Sequence, residues 1–226
     1  MIFADTVSED HVEVSQRLLT LNNHLKVYDY GATATFTARL GSTYKNRTVE
    51  FWADPYGDDQ GRRLLKKVVV DSRGEATVAL KVHRNTAVQA IFTGDALFAD
   101  RLAASVVYVK VPVSLAATNH YTTTKIDGVG YKVFRKNAGP ILTVTMPKHP
   151  NRTAYLATEV FVQGKWRAQG AGYARPDAAG RFQVRMNTTN AGGLRFRVRA
   201  AYVAGGSGDN LNATSYTPYQ YLYISK

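Results

Sequence analysis

Residues 33–40 read TATFTARL, and this stretch decides the fold class. Its apolar side chains alternate with threonine and arginine, a period of two that places them together on one face of a β-strand. The same alternation returns in the first half of the chain at 49–52, 76–83, 87–93 and 105–111. Turn-forming residues separate these stretches, and no segment sustains the 3.6-residue period of a helix. Short strands with one apolar face predict an all-β sandwich of two sheets.

The second half of the chain repeats this plan in the same order. Asn151-Arg152-Thr153 follows a predicted strand at 141–146, as Asn46-Arg47-Thr48 does in the first half. Further along, Gly208-Asp209 corresponds to Gly94-Asp95. A repeat of about 110 residues with matching turns indicates a tandem duplication.

We therefore predict two β-sandwich domains, 1–115 and 116–226, with a short polar linker at 116–120. The first is near-neutral, with 14 Lys and Arg against 13 Asp and Glu. The second is strongly basic, with 15 Lys and Arg against four acids, and it carries nearly all of the chain's net charge of +12. A charge concentrated in one domain favours a surface that acts on a partner over a general bias of composition.

The most informative strand of the second half is 194–199, in which arginines alternate with apolar residues. If the apolar set faces the core, the arginines form a row on the outer face, about 6.6 Å apart. The closing strand should pair beside it and turn three tyrosines outward. We call this predicted ligand-binding surface the Arg/Tyr face. Its residues are Arg195, Arg197, Arg199, Tyr219, Tyr221 and Tyr223.

Two interpretations of the Arg/Tyr face stay open at this stage. Guanidinium groups bind phosphate or carboxylate, and flat rings stack on sugars or bases, so the combination suits an acidic polymer. Alternatively, stacked Arg and Tyr side chains solubilise an exposed sheet. A row of like charges with no acids opposite would count against that second interpretation, because like charges repel.

No pattern indicates catalysis or a cofactor. The chain has no cysteine, which removes thiol nucleophiles, and its five histidines lie far apart without an HExxH or GxSxG motif. Gly94-Asp95, Gly208-Asp209 and the acidic run of Asp54, Asp58 and Asp59 could each contribute oxygen ligands to a cation. We interpret the two pairs as tight corners and the run as a solvated loop. The prediction is no enzyme, no catalytic residue, no metal site and no cofactor.

Three stretches of the first half resemble the bacterial Ig-like repeat domain family. Residues 30–38 are similar to its opening strand, 49–52 to its central strand, and 90–99 to its aromatic-x-Gly-Asp-x-x-aromatic corner. The resemblance covers most of residues 12–113 and is looser over 120–226. It implies tandem immunoglobulin-like sandwiches in secreted or surface proteins, often of high-GC Gram-positive bacteria. The family has no common catalytic residues.

The expected function is therefore a non-catalytic binding or structural module of a secreted or cell-surface bacterial protein. The expected partner of the Arg/Tyr face is an acidic polymer, such as a cell-wall glycopolymer or polysaccharide, or a partner protein. Charge alone would also suit nucleic acid. The alternatives are a structural assembly subunit, such as a phage or injection-machine decoration protein, and an accessory domain of a larger secreted enzyme.

The expected location follows from the resemblance and from the start of the chain. No apolar run approaches the roughly 20 residues of a membrane helix, and residues 1–5 do not begin a signal peptide. We expect a secreted or surface protein whose leader precedes the sequence. A native Met1 would instead fit assembly in the cytoplasm.

Overall fold

A computed structural model describes residues 19–41, 47–96 and 98–226, and these residues contain β-strands and no helix. Eight strands form the first sandwich and ten the second. Those of the first are β1 (Thr20–Leu21), β2 (Val27–Asp29), β3 (Thr33–Arg39), β4 (Thr48–Pro55), β5 (Arg63–Val69), β6 (Glu75–Lys81), β7 (Thr86–Phe92) and β8 (Arg101–Lys110). Those of the second are β9 (Ser114–Thr118), β10 (Thr122–Ile126), β11 (Val129–Phe134), β12 (Ile141–Thr145), β13 (Ala154–Val162), β14 (Lys165–Ala174), β15 (Arg181–Arg185), β16 (Arg195–Tyr202), β17 (Ser215–Tyr216) and β18 (Gln220–Ile224).

The two sandwiches have the same strand order. In the first, a β1-β3-β6 sheet packs on a β2-β8-β7-β4-β5 sheet. In the second, β9-β12-β15 packs on β10-β11-β18-β16-β13-β14, with the short β17 beside β16. In each sandwich one early strand pairs parallel to the last strand, β2 with β8 and β11 with β18, whereas the other pairings are antiparallel. This arrangement is immunoglobulin-like, and it confirms the predicted fold class.

Alternation along the strands builds two separate cores. In β3 the side chains of Ala34, Phe36 and Ala38 are fully buried, as the opening stretch predicts. Phe134 and Leu222 are fully buried in the second core. Each buried aliphatic or aromatic side chain contributes about 1.5–3 kcal/mol through burial, so the cores account for much of the stability that a chain without disulfides requires.

The predicted linker at 116–120 is wrong. Ser114–Thr118 forms β9, which pairs with β12 and buries Leu115 and Ala117 in the second core. Residues 114 and 115, placed in the first domain by the predicted boundary, therefore belong to the second sandwich. The error has a physical cause: small alternating residues, such as those of β9, bury little area and resemble a polar connection.

Hydrogen bonds join the sandwiches directly. The backbone amide of Asn85 donates to the carbonyl of Leu211 at 2.7 Å, and the amide of Ala213 donates to the carbonyl of Val109 at 2.8 Å. The buried side chain of Asn212 donates to the carbonyl of His83 at 2.9 Å. Backbone and side-chain bonds of this kind fix the loop before β17 against the turn between β6 and β7.

Candidate functional site

The outer face of the larger sheet in the second sandwich carries the candidate site. On β16 the side chains of Phe196 and Val198 are buried, whereas those of Arg195, Arg197 and Arg199 are turned outward and partly exposed. The predicted register of this strand is therefore confirmed.

The tyrosines of the Arg/Tyr face lie beside the arginines. β18 pairs with β16 so that Tyr223 is opposite Arg195 and Tyr221 is opposite Arg197. Tyr219 comes one residue before β18 and is half-buried on the same side. The structure thus brings all six predicted residues together on one sheet.

Two of the arginines have carboxylates opposite them, contrary to the sequence-based assumption. Nε of Arg197 donates to Oε2 of Glu159 at 2.6 Å, and Nη1 of Arg195 donates to Oδ2 of Asp127 at 2.7 Å. Although burial lowers the pKa of Arg197, the contact with Glu159 outweighs it, and the pKa is raised above its ordinary value. The argument from like-charge repulsion therefore fails for Arg195 and Arg197.

Arg199 differs from its two neighbours. The ladder places Ala157 of β13 opposite it, so the adjacent strand offers no carboxylate at this level. Its guanidinium carbon lies 4.7 Å from the ring centroid of Tyr216 and 5.1 Å from that of Tyr219. Among the described residues, its buried Nε has no hydrogen-bond partner. Arg199 is thus a cation held by rings rather than by an acid.

Sequence analysis missed several rings that extend the face. The ring centroid of Phe161 in β13 lies 3.9 Å from the guanidinium carbon of Arg195. The ring of Trp166 in β14 lies 4.7 Å from the guanidinium carbon of Arg197. Tyr131 of β11 packs edge-to-face on Tyr221 at 5.5 Å. The fold assembles these rings from strands that are distant in the sequence, and β14 has no alternation that would have pointed to Trp166.

A shallow groove of about 470 Å³ runs along the edge of this face. The hairpin of β10 and β11 forms one wall, with Lys125 and Lys132, and Tyr219 and Tyr221 form the other. Burial raises the pKa of Tyr219, as does the hydrogen bond that its hydroxyl donates to Glu159 at 3.0 Å. The hydroxyl of Tyr219 is thus already engaged by Glu159, and the groove offers an extended ligand the ring faces of Tyr219 and Tyr221.

The Gly-Asp pairs have a structural role in corners that each sandwich repeats. Gly94 and Gly208 have φ of 84° and 89°, in the left-handed region that favours glycine. Asp95 accepts a hydrogen bond from the amide of Phe98 at 2.9 Å, and Asp209 accepts one from the amide of Leu211 at 3.1 Å. The interpretation of these pairs as tight corners is confirmed.

Each corner also contains a buried arginine that sequence analysis did not connect with it. Nε of Arg47 donates to Asp95 at 3.1 Å, and Nε of Arg152 donates to Asp209 at 2.8 Å. Burial raises the pKa of Asp209, but hydrogen bonds from Arg152 and Tyr202 outweigh it, and the pKa is lowered overall. We call these the Arg–Asp corners. The signal was present in the sequence, since Asn-Arg-Thr and Gly-Asp recur together in both halves.

The acidic run contributes an ion pair. Asp59 accepts hydrogen bonds from both terminal nitrogens of Arg84, at 2.6 and 3.1 Å, which lower the pKa of this carboxyl despite some loss of solvation. Within the described ranges, no group of three or more His, Asp or Glu side chains is placed to hold a metal ion. The described part of the chain also contains no helix long and apolar enough to cross a membrane.

Comparisons with known proteins add little to this picture. No family model matches the chain, and no curated protein matches it. Among solved structures, it resembles the crystal structure of the teleost fish polymeric Ig receptor ectodomain, with a TM-score of 0.33 and 11% sequence identity, over 92% of this chain and 98% of that one. So distant a likeness carries no argument about function. The class that the strand order defines is a tandem immunoglobulin-like β-sandwich protein.

Proposed function

We propose that this protein is a non-catalytic binding module and that its Arg/Tyr face binds an acidic polysaccharide. The observation that carries the proposal is Arg199, a guanidinium without a carboxylate among the described residues, placed between the rings of Tyr216 and Tyr219. A uronate or sulfate group would supply the missing anion, and the rings beside it would stack on sugar faces. The neighbouring groove offers room for the adjoining units of the chain.

The ion pairs of Arg195 and Arg197 limit how strongly salt should weaken binding. An arginine that already pairs with a carboxylate neutralises little of the polysaccharide's charge and displaces few of its counterions, whereas an unpaired arginine displaces about one. The face should therefore behave as one strong anion contact with stacking around it, and not as three equal contacts. Its salt dependence should accordingly be shallow for a domain of such high charge.

The proposal is tested by measuring heparin affinity of the full chain at several salt concentrations. Arg199→Gln should weaken binding about tenfold, as loss of a charged hydrogen bond does, and reduce the salt slope by about one unit. The matched control is Arg185→Gln, which removes the same charge from β15 on the other sheet. Tyr216→Ala should weaken binding without changing the salt slope. Equal affinity of Arg199→Gln and the unaltered protein would falsify the proposal.

A partner protein is a second candidate, and the pairing of Arg195 and Arg197 with acids favours it. That pairing leaves a surface rich in Arg, Tyr and Trp with little net charge at its centre, which is the composition of protein–protein hot spots. Pull-down of a protein whose binding is insensitive to salt and is lost in Trp166→Ala would support this candidate over the polysaccharide.

The resemblance of the first half of the chain to bacterial Ig-like repeat domains supports a proposal about the setting of the module. We propose a secreted or cell-surface bacterial protein in which the near-neutral first sandwich supports the second. A decoration subunit of an assembly and an accessory domain of a larger secreted enzyme are the alternatives. Surface labelling of intact cells against lysed cells, with an antibody to the second sandwich, separates the surface setting from intracellular assembly.

A further inference from the structure

A cleft of about 330 Å³ lies where the two sandwiches meet, away from the Arg/Tyr face. The turn between β6 and β7 forms its first wall, with Lys81, His83 and Arg84. The loop between β12 and β13 forms the opposite wall, with Lys148 and His149. We name it the interdomain cleft. Sequence analysis had no access to it, because its walls come from different domains.

The walls of the interdomain cleft are held in place by buried hydrogen bonds. Asn212 lines the cleft and donates to the carbonyls of His83 at 2.9 Å and Val109 at 3.2 Å, and it accepts a hydrogen bond from Arg152 at 2.9 Å. Asn85 adds a backbone bond to Leu211 at 2.7 Å. These bonds hold the backbone of the two walls together, so the cleft exists before a ligand enters it, which reduces the entropy cost of binding.

Positive charge in the interdomain cleft exceeds negative charge. Arg84 is matched by Asp59 and Arg152 by Asp209, each through a direct ion pair. The remaining cations of the lining are Lys81, Lys148 and Arg63, and within the described residues none of them forms an ion pair. The pKa of Asp177 is lowered mainly by the backbone amide of Arg181, and the charge of Lys148 adds a lesser contribution.

The chemistry of these groups favours phosphate over carboxylate. Two of the three guanidinium groups in the lining, those of Arg84 and Arg152, already hold Asp59 and Asp209, which leaves Arg63 beside the two ammonium groups. Ammonium groups act as point charges, and several of them attract a dianion more strongly than a monoanion. His83 and His149 add hydrogen-bonding ring nitrogens, and Tyr30 packs edge-to-face on His83 at 4.9 Å as a wall.

We infer that the interdomain cleft is an anion site for a phosphate group, either free or carried by a small organic molecule. Its volume of about 330 Å³ lies at the lower end of the range for small-molecule sites, which suits a phosphate ion or a small phosphate ester. The site goes beyond the proposed function, because it uses both sandwiches and none of the residues of the Arg/Tyr face.

The test is calorimetric titration of the full chain with inorganic phosphate at constant ionic strength, with acetate as the comparison anion. Phosphate should bind more tightly than acetate, and Lys81→Gln with Lys148→Gln should weaken phosphate binding at least about tenfold. The matched control, Lys66→Gln with Lys165→Gln, removes one exposed lysine from each sandwich outside the cleft and should leave the affinity unchanged. Glycerol 1-phosphate distinguishes the source: tighter binding than inorganic phosphate identifies an organic ester, and weaker binding identifies the free ion.

The inference is overturned if the unaltered chain binds no phosphate, or if both lysine pairs weaken binding equally, since a general charge effect would then suffice. Arg199→Gln belongs in the same series and should keep full phosphate affinity. Loss of heparin binding in that variant together with retained phosphate binding separates the two sites, so the failure of one proposal leaves the other standing.

Discussion

The two sandwiches repeat one feature and differ in another. Arg47 with Asp95 in the first, and Arg152 with Asp209 in the second, build the same corner at the same place in the strand order. The second pair is the more deeply buried, because the side chain of Asp209 is 8% exposed and that of Asp95 is 37% exposed. A feature present in both copies serves the fold they share.

The outer faces of the two larger sheets are different. In the first sandwich Gln89 of β7 lies opposite Trp52 of β4, and in the second Arg199 of β16 lies opposite Ala157 of β13. Trp52 and Ala157 lie at the same distance along the chain from the corner arginines, Arg47 and Arg152, so their partners occupy equivalent positions. Arg199 therefore stands where the first sandwich has a neutral glutamine. The corner therefore belongs to the architecture that both sandwiches share, whereas the Arg/Tyr face is a feature of the second sandwich. Four predictions test this division.

The largest effect is expected from breaking the corner of the second sandwich. Arg152→Ala leaves the carboxylate of Asp209 buried without its cation and should cost about 3–5 kcal/mol of unfolding free energy. Arg47→Ala should cost less, about 1–3 kcal/mol, because Asp95 retains contact with water. Urea unfolding followed by tryptophan fluorescence measures both, since each sandwich has one tryptophan, Trp52 or Trp166. Equal losses in the two variants would contradict the difference in burial.

The next effect concerns the junction of the sandwiches. Asn212→Ala removes hydrogen bonds to His83, Val109 and Arg152, so it should cost about 1–3 kcal/mol. Because these bonds couple the domains, the fluorescence transitions of Trp52 and Trp166 should separate. Asn190→Ala, at an exposed position in the second sandwich, is the control and should leave the two transitions unchanged. Coincident transitions in Asn212→Ala would show that other contacts carry the coupling.

Acid should weaken both sandwiches in the same way. The backbone amides of Glu75 and Arg181 donate to Asp71 and Asp177, and these hydrogen bonds lower the pKa of both carboxyls. A lowered folded-state pKa means that the stabilisation is present above the unfolded value of about 3.9 and is lost as pH falls through the folded value.

The matched variants Asp71→Asn and Asp177→Asn check this pH dependence. In each variant, the unfolding free energy of the altered sandwich should fall less steeply below about pH 4. The pH dependence of the other sandwich should stay unchanged. The measurement is urea unfolding between about pH 2 and pH 6, with Trp52 or Trp166 as reporter. A variant as sensitive to acid as the unaltered chain would assign the dependence to other carboxyls.

The smallest effect on stability is expected for Arg199→Gln, which gives the second sandwich the residue of the first at this position. It should change the unfolding free energy by no more than about 0.5 kcal/mol. Arg197→Gln should cost more, about 1–3 kcal/mol, because it leaves Glu159 without its charged partner. Thermal unfolding of the two variants gives the comparison. A large loss of unfolding free energy in Arg199→Gln would show that Arg199 stabilises the fold.

The alternation of apolar and polar residues predicted the strands that have one buried face and one exposed face, such as β3, β4 and β16. It failed for β5 and β14, two edge strands that are exposed along nearly their whole length. A strand with two solvated faces needs no apolar period, so only its pairing with a neighbour identifies it.

The sequence by itself determined which side chains of β16 point outward, because consecutive residues of a strand must alternate between its faces. The sequence did not determine which side chains contact those of β16 on the outer face. Glu159 and Asp127 lie 38 and 68 positions from the arginines they neutralise, and the order of strands in the sheet brings them together. The interdomain cleft depends on an even longer-range arrangement. Backbone geometry fixes local periodicity, whereas charge compensation is a property of the assembled sheets. Only the tertiary structure decided that, of the three arginines of β16, Arg199 is the one without a carboxylate partner among the described residues.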